Sequence, residues 1–105
     1  MSRKEKNITI NDKEYTCKEL TAPQVRDTLD EVEKGELQIL DLLFPERIPA
    51  VAVQKSTGKN LKELEELAPS DYEALLKTVE VANPFFAALV TRMITAAGAI
   101  LTQKK

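Results

Sequence analysis

The chain contains no histidine, no tryptophan and a single cysteine. Each absence closes off a class of function. Without histidine, Ser-His and Cys-His nucleophilic pairs and HExxH metal sites cannot be built, and the common zinc sites lose their main nitrogen ligand. One cysteine, Cys17, cannot form an internal disulfide, so nothing in the sequence asks for an oxidising compartment. Cys17 has only Lys18 as a basic sequence neighbour, which does not suggest a reactive thiolate; it reads as a small core residue. Only three glycines occur, Gly35, Gly58 and Gly98, too far apart for a phosphate-cradling loop. Aromatics make up 5% of the chain, so the core must come from Leu, Val, Ile and Ala. Neither a catalytic nor a cofactor or metal-binding constellation is found, and the expectation is a protein that is not an enzyme.

What is present is an ordinary globular composition. The 105 residues are 43% hydrophobic and 30% charged, with a formal net charge of −2, the size of one domain. A single domain over 1–105 is expected, with a hairpin over about 7–17 and a helical bundle over about 21–103. Met1 to Lys6 is charged and is not followed by an apolar run, unlike a secretory signal, so a cytosolic location is expected. Basic residues gather at the ends: Arg3, Lys4 and Lys6, then Lys104 and Lys105. From Asp27 to Glu46 there are seven carboxylates and one lysine, read either as a solvated acidic helix face or as a docking surface for a basic partner.

Asn7-Ile8-Thr9-Ile10 and Glu14-Tyr15-Thr16-Cys17 alternate polar and apolar around the turn chemistry of Asn11-Asp12-Lys13. This pattern predicts a β-hairpin with Ile8, Ile10, Tyr15 and Cys17 as the candidates for its inner face. Thr21 and Gln24 form a capping box for a helix carrying Val25, Leu29 and Val32, ended by Gly35. A second helix fits Glu36 to Phe44, with Leu37, Leu40 and Phe44 on one side, and Pro45 breaks it. A third fits Ile48 to Thr57, with Ile48, Val51 and Ala52 inward and Gly58 as the C-terminal stop. Asn60 starts a short helix carrying Leu61, Leu64 and Leu67. Ser70 and Glu73 form a second capping box before the stripe Tyr72, Leu75, Leu76, Val79. Asn83-Pro84 opens the last helix, to about Gln103. The predicted fold is α+β and mostly helical: an N-terminal hairpin followed by a compact bundle of about five to six helices.

The last helix is the most informative. Arg92 is the only charge among the eighteen residues from Pro84 to Leu101. As a membrane span it is short, and a central arginine costs about 2.5–3.5 kcal/mol on insertion scales, so no membrane is expected. It is either a core helix surrounded by others, or a helix incompletely covered by its own chain that leaves an apolar strip for a partner or a second copy. Phe86, Val90, Met93, Ala97 and Ile100 line one side; Phe85, Leu89 and Ala96 lie on another. The residues selected for partner contact are Phe85, Phe86, Leu89, Val90, Met93 and Ala97. Nucleic acid is not an expected partner. The basic residues form no dense stripe, and a recognition helix over Tyr72–Glu80 would carry more acid than base, repelling phosphate.

The order of these segments resembles a known family. The Ile8-Thr9-Ile10 and Glu14-Tyr15-Thr16 hairpin leads into Glu19-Leu20-Thr21-Ala22-Pro23-Gln24-Val25-Arg26. Asp41-Leu42-Leu43-Phe44 follows, then the Gly58 break, Leu64-Glu65-Glu66-Leu67-Ala68-Pro69-Ser70 and Asn83-Pro84-Phe85-Phe86. Together these resemble the small tail assembly chaperones of long-tailed bacteriophages and prophages, over nearly the whole chain. The resemblance implies reversible binding of the helical tape measure protein, kept soluble until tail tube protein displaces the chaperone, and no catalytic residues. It also implies a longer frameshifted form in many such phages. Self-association into a homo-oligomer is expected from the Ala- and Thr-rich second half of the last helix. The rival readings are a small nucleic-acid-binding regulator and a structural subunit of a phage particle.

Overall fold

In the computed structural model the described residues are 4–35, 38–45 and 47–92. Strands β1 (Glu5–Ile10) and β2 (Lys13–Lys18) pair antiparallel, with Ile8 opposite Tyr15 and Lys6 opposite Cys17. The turn has two residues: Asn11 and Asp12 sit at φ 53° and 65°, the left-handed pair that a tight hairpin needs to match strand twist. Asn and Asp tolerate that region better than other non-glycine residues. Lys13, grouped with the turn in the sequence, is already the first residue of β2. The register places Ile8, Ile10, Tyr15 and Cys17 on one face, as expected, and the other face is entirely polar: Glu5, Asn7, Thr9, Glu14, Thr16 and Lys18.

A lone hairpin is marginal in water, and its apolar face rests on α5 (Pro69–Ala82). The stripe at i, i+3, i+4 and i+7 does this work: Tyr72, Leu75, Leu76 and Val79 are all buried, with Tyr15 and Cys17 in the same core cluster. Each such aliphatic burial contributes about 1.5–3 kcal/mol. The helix begins two residues earlier than the Ser70–Glu73 capping box implies. Pro69 occupies its first turn and Ala68 the cap, with no side-chain cap bond, because the fixed φ of proline already suits that position.

α3 (Ala50–Thr57) packs on β2 and α5. It starts two residues later than expected, with Pro49 as its cap. Its first turn is satisfied from outside the helix: the Asp41 carboxylate accepts from the Ala50 N–H at 2.9 Å. Val53, not Val51, is the valine fully buried there. Gly58 ends α3 at φ 72°, the left-handed stop that glycine takes without steric cost. α4 (Leu61–Glu65) is capped by the Asn60 side chain, which accepts from the Glu63 N–H at 2.9 Å, and buries Leu64.

α1 (Ala22–Lys34) carries the predicted capping box, with Thr21 and Gln24 exchanging both bonds. Its expected apolar stripe is only partly used. Val25 and Leu29 are half-buried, Val32 is exposed, and the one fully buried side chain is Thr28. α1 packs on α3, and the Glu31 carboxylate pairs with Lys55 of that helix at 2.6 Å. The threonine hydroxyl is satisfied by donating to the Gln24 carbonyl at 2.7 Å. α2 is shorter than predicted, Ile39–Leu43; Leu37 and Glu36 lie outside the described residues. Leu40 is buried, and Phe44 meets the Tyr72 ring at 5.3 Å between centroids.

Candidate functional site at the α5–α6 elbow

α6 (Pro84–Arg92 as described) leaves α5 at 101°. Pro84 disfavours helical geometry at the residue before it, and Asn83 adopts φ −126°, ψ 58°. The sequence suggests Asn83 as the side-chain cap of the last helix. Instead its buried amide reaches across the fold. Its oxygen accepts from the Leu20 N–H at 2.6 Å, and its nitrogen donates to the carbonyls of Lys18 at 3.2 Å and Val79 at 2.9 Å. One side chain thereby ties the elbow to the exit of β2. Leaving such buried groups unpaired costs about 1–3 kcal/mol, so Asn83 fixes where α6 points.

The consequence is a groove between α6 and the start of α1. It holds about 340 Å³ and is lined by Leu20, Ala22, Val25, Phe85, Phe86 and Leu89, with Glu19, Asn83 and Arg92 as its polar members. The six contact residues proposed from sequence fall out differently. Phe85 is 76% exposed, whereas its neighbour Phe86 is 4% exposed and belongs to the core. Consecutive residues on a helix point about 100° apart, so α6 inserts one ring and offers the other. Phe86 thus anchors α6 in the core while also lining the groove. Leu89 and Val90 are half-buried and pack against the core from its edge. Met93 and Ala97 lie outside the described residues. For its described part, α6 is neither enclosed on all sides nor free.

Leu20, Ala22 and Val25, the opposite wall, were assigned no binding role in the sequence. Their only signal there was an apolar residue, Leu20, in an otherwise polar link before the Thr21 cap. A second exposed apolar set was also missed: Ile39, Leu42 and Leu43 on α2.

Chemistry at these surfaces is sparse among the described residues. There is no group of three or more potential metal ligands. Every buried side-chain nitrogen and oxygen of the described residues has a hydrogen-bond partner. Burial pushes the Cys17 thiol up to about 11, which keeps it protonated at neutral pH. Burial also raises the Tyr72 phenol, reinforced by the Asp41 charge. The Arg47 guanidinium is bonded by the Glu80 carboxylate at 2.6 and 2.8 Å, and this hydrogen-bonded pairing holds its pKa above the usual value. The pair fastens the chain before α3 to α5. No single described helix is long and apolar enough to cross a membrane, and α5 and α6 reach that length only together, across their bend. Comparison with protein-family models, with curated proteins and with solved structures returns no match.

Proposed function

We propose that this chain is a non-catalytic tail assembly chaperone of a long-tailed phage or prophage. In the cytoplasm of the bacterial host it would bind the helical tape measure protein and keep it soluble until tail tube assembly. The groove between α1 and α6 takes an apolar stripe of the client, with Phe85 and Leu89 as the contacts from α6 and Val25 from α1. The observation that carries this reading is the exposure of Phe85, 76% of a phenylalanine left in water beside a groove with apolar walls. Exposed apolar surface of this kind is the usual mark of a protein-binding site, and an amphipathic helix is the element that fills such a groove. The choice of family is supported by the order of sequence segments from the Ile8 hairpin to Asn83-Pro84-Phe85-Phe86, which resembles that of the tail assembly chaperones.

Co-expression with a tape measure protein tests the reading. The wild-type chain is expected to raise the soluble fraction of the client. Phe85→Asp, at a position that does not support the core, is expected to lose that effect while the variant itself stays folded. A client that stays insoluble with the wild-type chain, or one rescued equally by Phe85→Asp, would overturn the assignment. Retention of the chain in finished particles would favour a structural subunit instead.

A further inference from the structure

The two edges of the hairpin are treated differently. The Glu19 N–H donates to the Lys4 carbonyl at 2.8 Å, so Lys4 and Glu19 form a bonded pair. Bonded and non-bonded pairs alternate along an antiparallel ladder. The register therefore bonds Lys6 to Cys17 and Ile8 to Tyr15, and it turns the N–H and C=O groups of Glu5, Asn7 and Thr9 outward from β1. On β2 the outward groups belong to Glu14, Thr16 and Lys18. That edge is partly covered: α3 packs on the strand, and the Lys18 carbonyl accepts from the Ser56 hydroxyl and the Asn83 amide. Among the described residues nothing bonds the outward groups of β1.

An open strand edge is a template for another strand, and the side chains beside it select which one. Lys6 shares the strand face of Ile8 and Ile10, the face that rests on α5, and it is exposed. With Asn7, Lys77, Thr78 and Val81 it lines an open depression of about 290 Å³. Val81 is 58% exposed. Lys6 and Lys77 are the charged residues of this wall, and neither makes an ion pair among the described residues. A strand added at β1 points alternate side chains to this side of the sheet. There a carboxylate meets two unneutralised ammonium groups, and an aliphatic side chain covers Val81. A second copy fits poorly, because pairing through β1 brings its own Lys4 and Lys6 to the same seam. A charge on the inner face of an edge strand is a known barrier to self-pairing.

We propose that the β1 edge, with the depression beside it, is a docking site for an extended acidic segment of a partner protein, bound as a third strand of the sheet. Glu5, Asn7 and Thr9 supply the main-chain bonds; Lys6 and Lys77 select the sign of the partner. None of these residues lines the α1–α6 groove, and the proposal does not depend on the chaperone reading.

Two labelled peptides provide the test. Both place threonine at every second position, and the positions between carry either valine and glutamate or valine and lysine. Fluorescence anisotropy with the intact chain is expected to show the glutamate peptide binding roughly tenfold or more tightly than the lysine peptide, with affinity falling as salt is raised. Lys6→Glu combined with Lys77→Glu is expected to reverse that preference without shifting the melting temperature, since both side chains are exposed. Asn7→Pro removes an outward N–H and leaves the β1–β2 ladder intact; it is expected to weaken the glutamate peptide roughly tenfold. Phe85→Ser is expected to leave binding unchanged. In the wild-type chain, amide exchange at Glu5, Asn7 and Thr9 is expected to slow when the glutamate peptide is added, a change that an ion pair between side chains would not produce. The proposal is overturned if the glutamate peptide does not bind, if both peptides bind equally, if binding leaves these amides unprotected, or if folded Asn7→Pro binds as tightly as the wild type. It is also overturned if the chain alone forms a concentration-dependent dimer that protects them, which would make a second copy the occupant.

Discussion

The two sides of this chain use apolar residues in opposite ways. Where the hairpin meets α5, most large apolar side chains are spent on the core: Tyr15, Cys17, Tyr72, Leu75, Leu76 and Val79 are buried, with Val81 the exposed exception, and the outer strand face is wholly polar. Where α1, α2 and α6 lie, exposed and buried apolar residues alternate along the same helices. Phe85 is out and Phe86 in; Leu42 and Leu43 are out and Leu40 in. The difference teaches that apolar content alone does not locate a binding surface. The side proposed to bind the client is the one where large apolar residues are left outside the core.

That contrast can be broken by substitution. The largest effect is expected in the sealed layer: Leu76→Ala should cost about 2–5 kcal/mol, because the surrounding core closes only partly over the cavity. Denaturant unfolding measures it, and a loss near zero would mean that the layer is loosely packed. Asn83→Ala comes next. It removes three hydrogen bonds and strands the Leu20 N–H, for an expected loss of about 1–3 kcal/mol. Tryptic cleavage at Arg92 should rise with it, since α6 loses its tether.

A smaller effect follows from pH. The Cys17 thiol titrates near 11 when folded, against 9.0 when free of burial. Above about pH 9 the unfolded chain therefore binds fewer protons than the folded one, and stability falls as pH rises from 9 towards 11. Cys17→Ala should melt with a shallower decline over that window, and an unchanged slope would place the titration elsewhere. Least affected should be the open side. Phe85→Ser and Leu42→Ser are each expected to change stability by less than about 0.5 kcal/mol, which would sharpen the division between surface and core; a loss as large as that of Leu76→Ala would erase it.

Much of this division could be read from the sequence, for identifiable reasons. The Tyr72–Val79 stripe and the alternating strands have strong periods, and a period fixes a face. The Thr21 capping box and the Gly58 stop are local chemistry, so they appear where local rules place them. Long-range choices were not legible. Asn83-Pro84 looks like a helix start, but nothing near Asn83 in sequence announces partners at Lys18 and Leu20. The rotation of α2 was also undetermined: Leu40 and Phe44 share a face, as do Ile39, Leu42 and Leu43, and only packing against Tyr72 decides which is inside. The same holds for Phe85 and Phe86, adjacent and identical in type, whose roles the elbow angle separates.

Hydrogen exchange on the chain alone and in complex with a co-expressed tape measure protein tests the central claim most directly. The account predicts new protection at Leu20–Val25 and along Phe85–Arg92, with the polar face of the hairpin exchanging as before. Protection confined to the hairpin, with α6 unchanged, would contradict it.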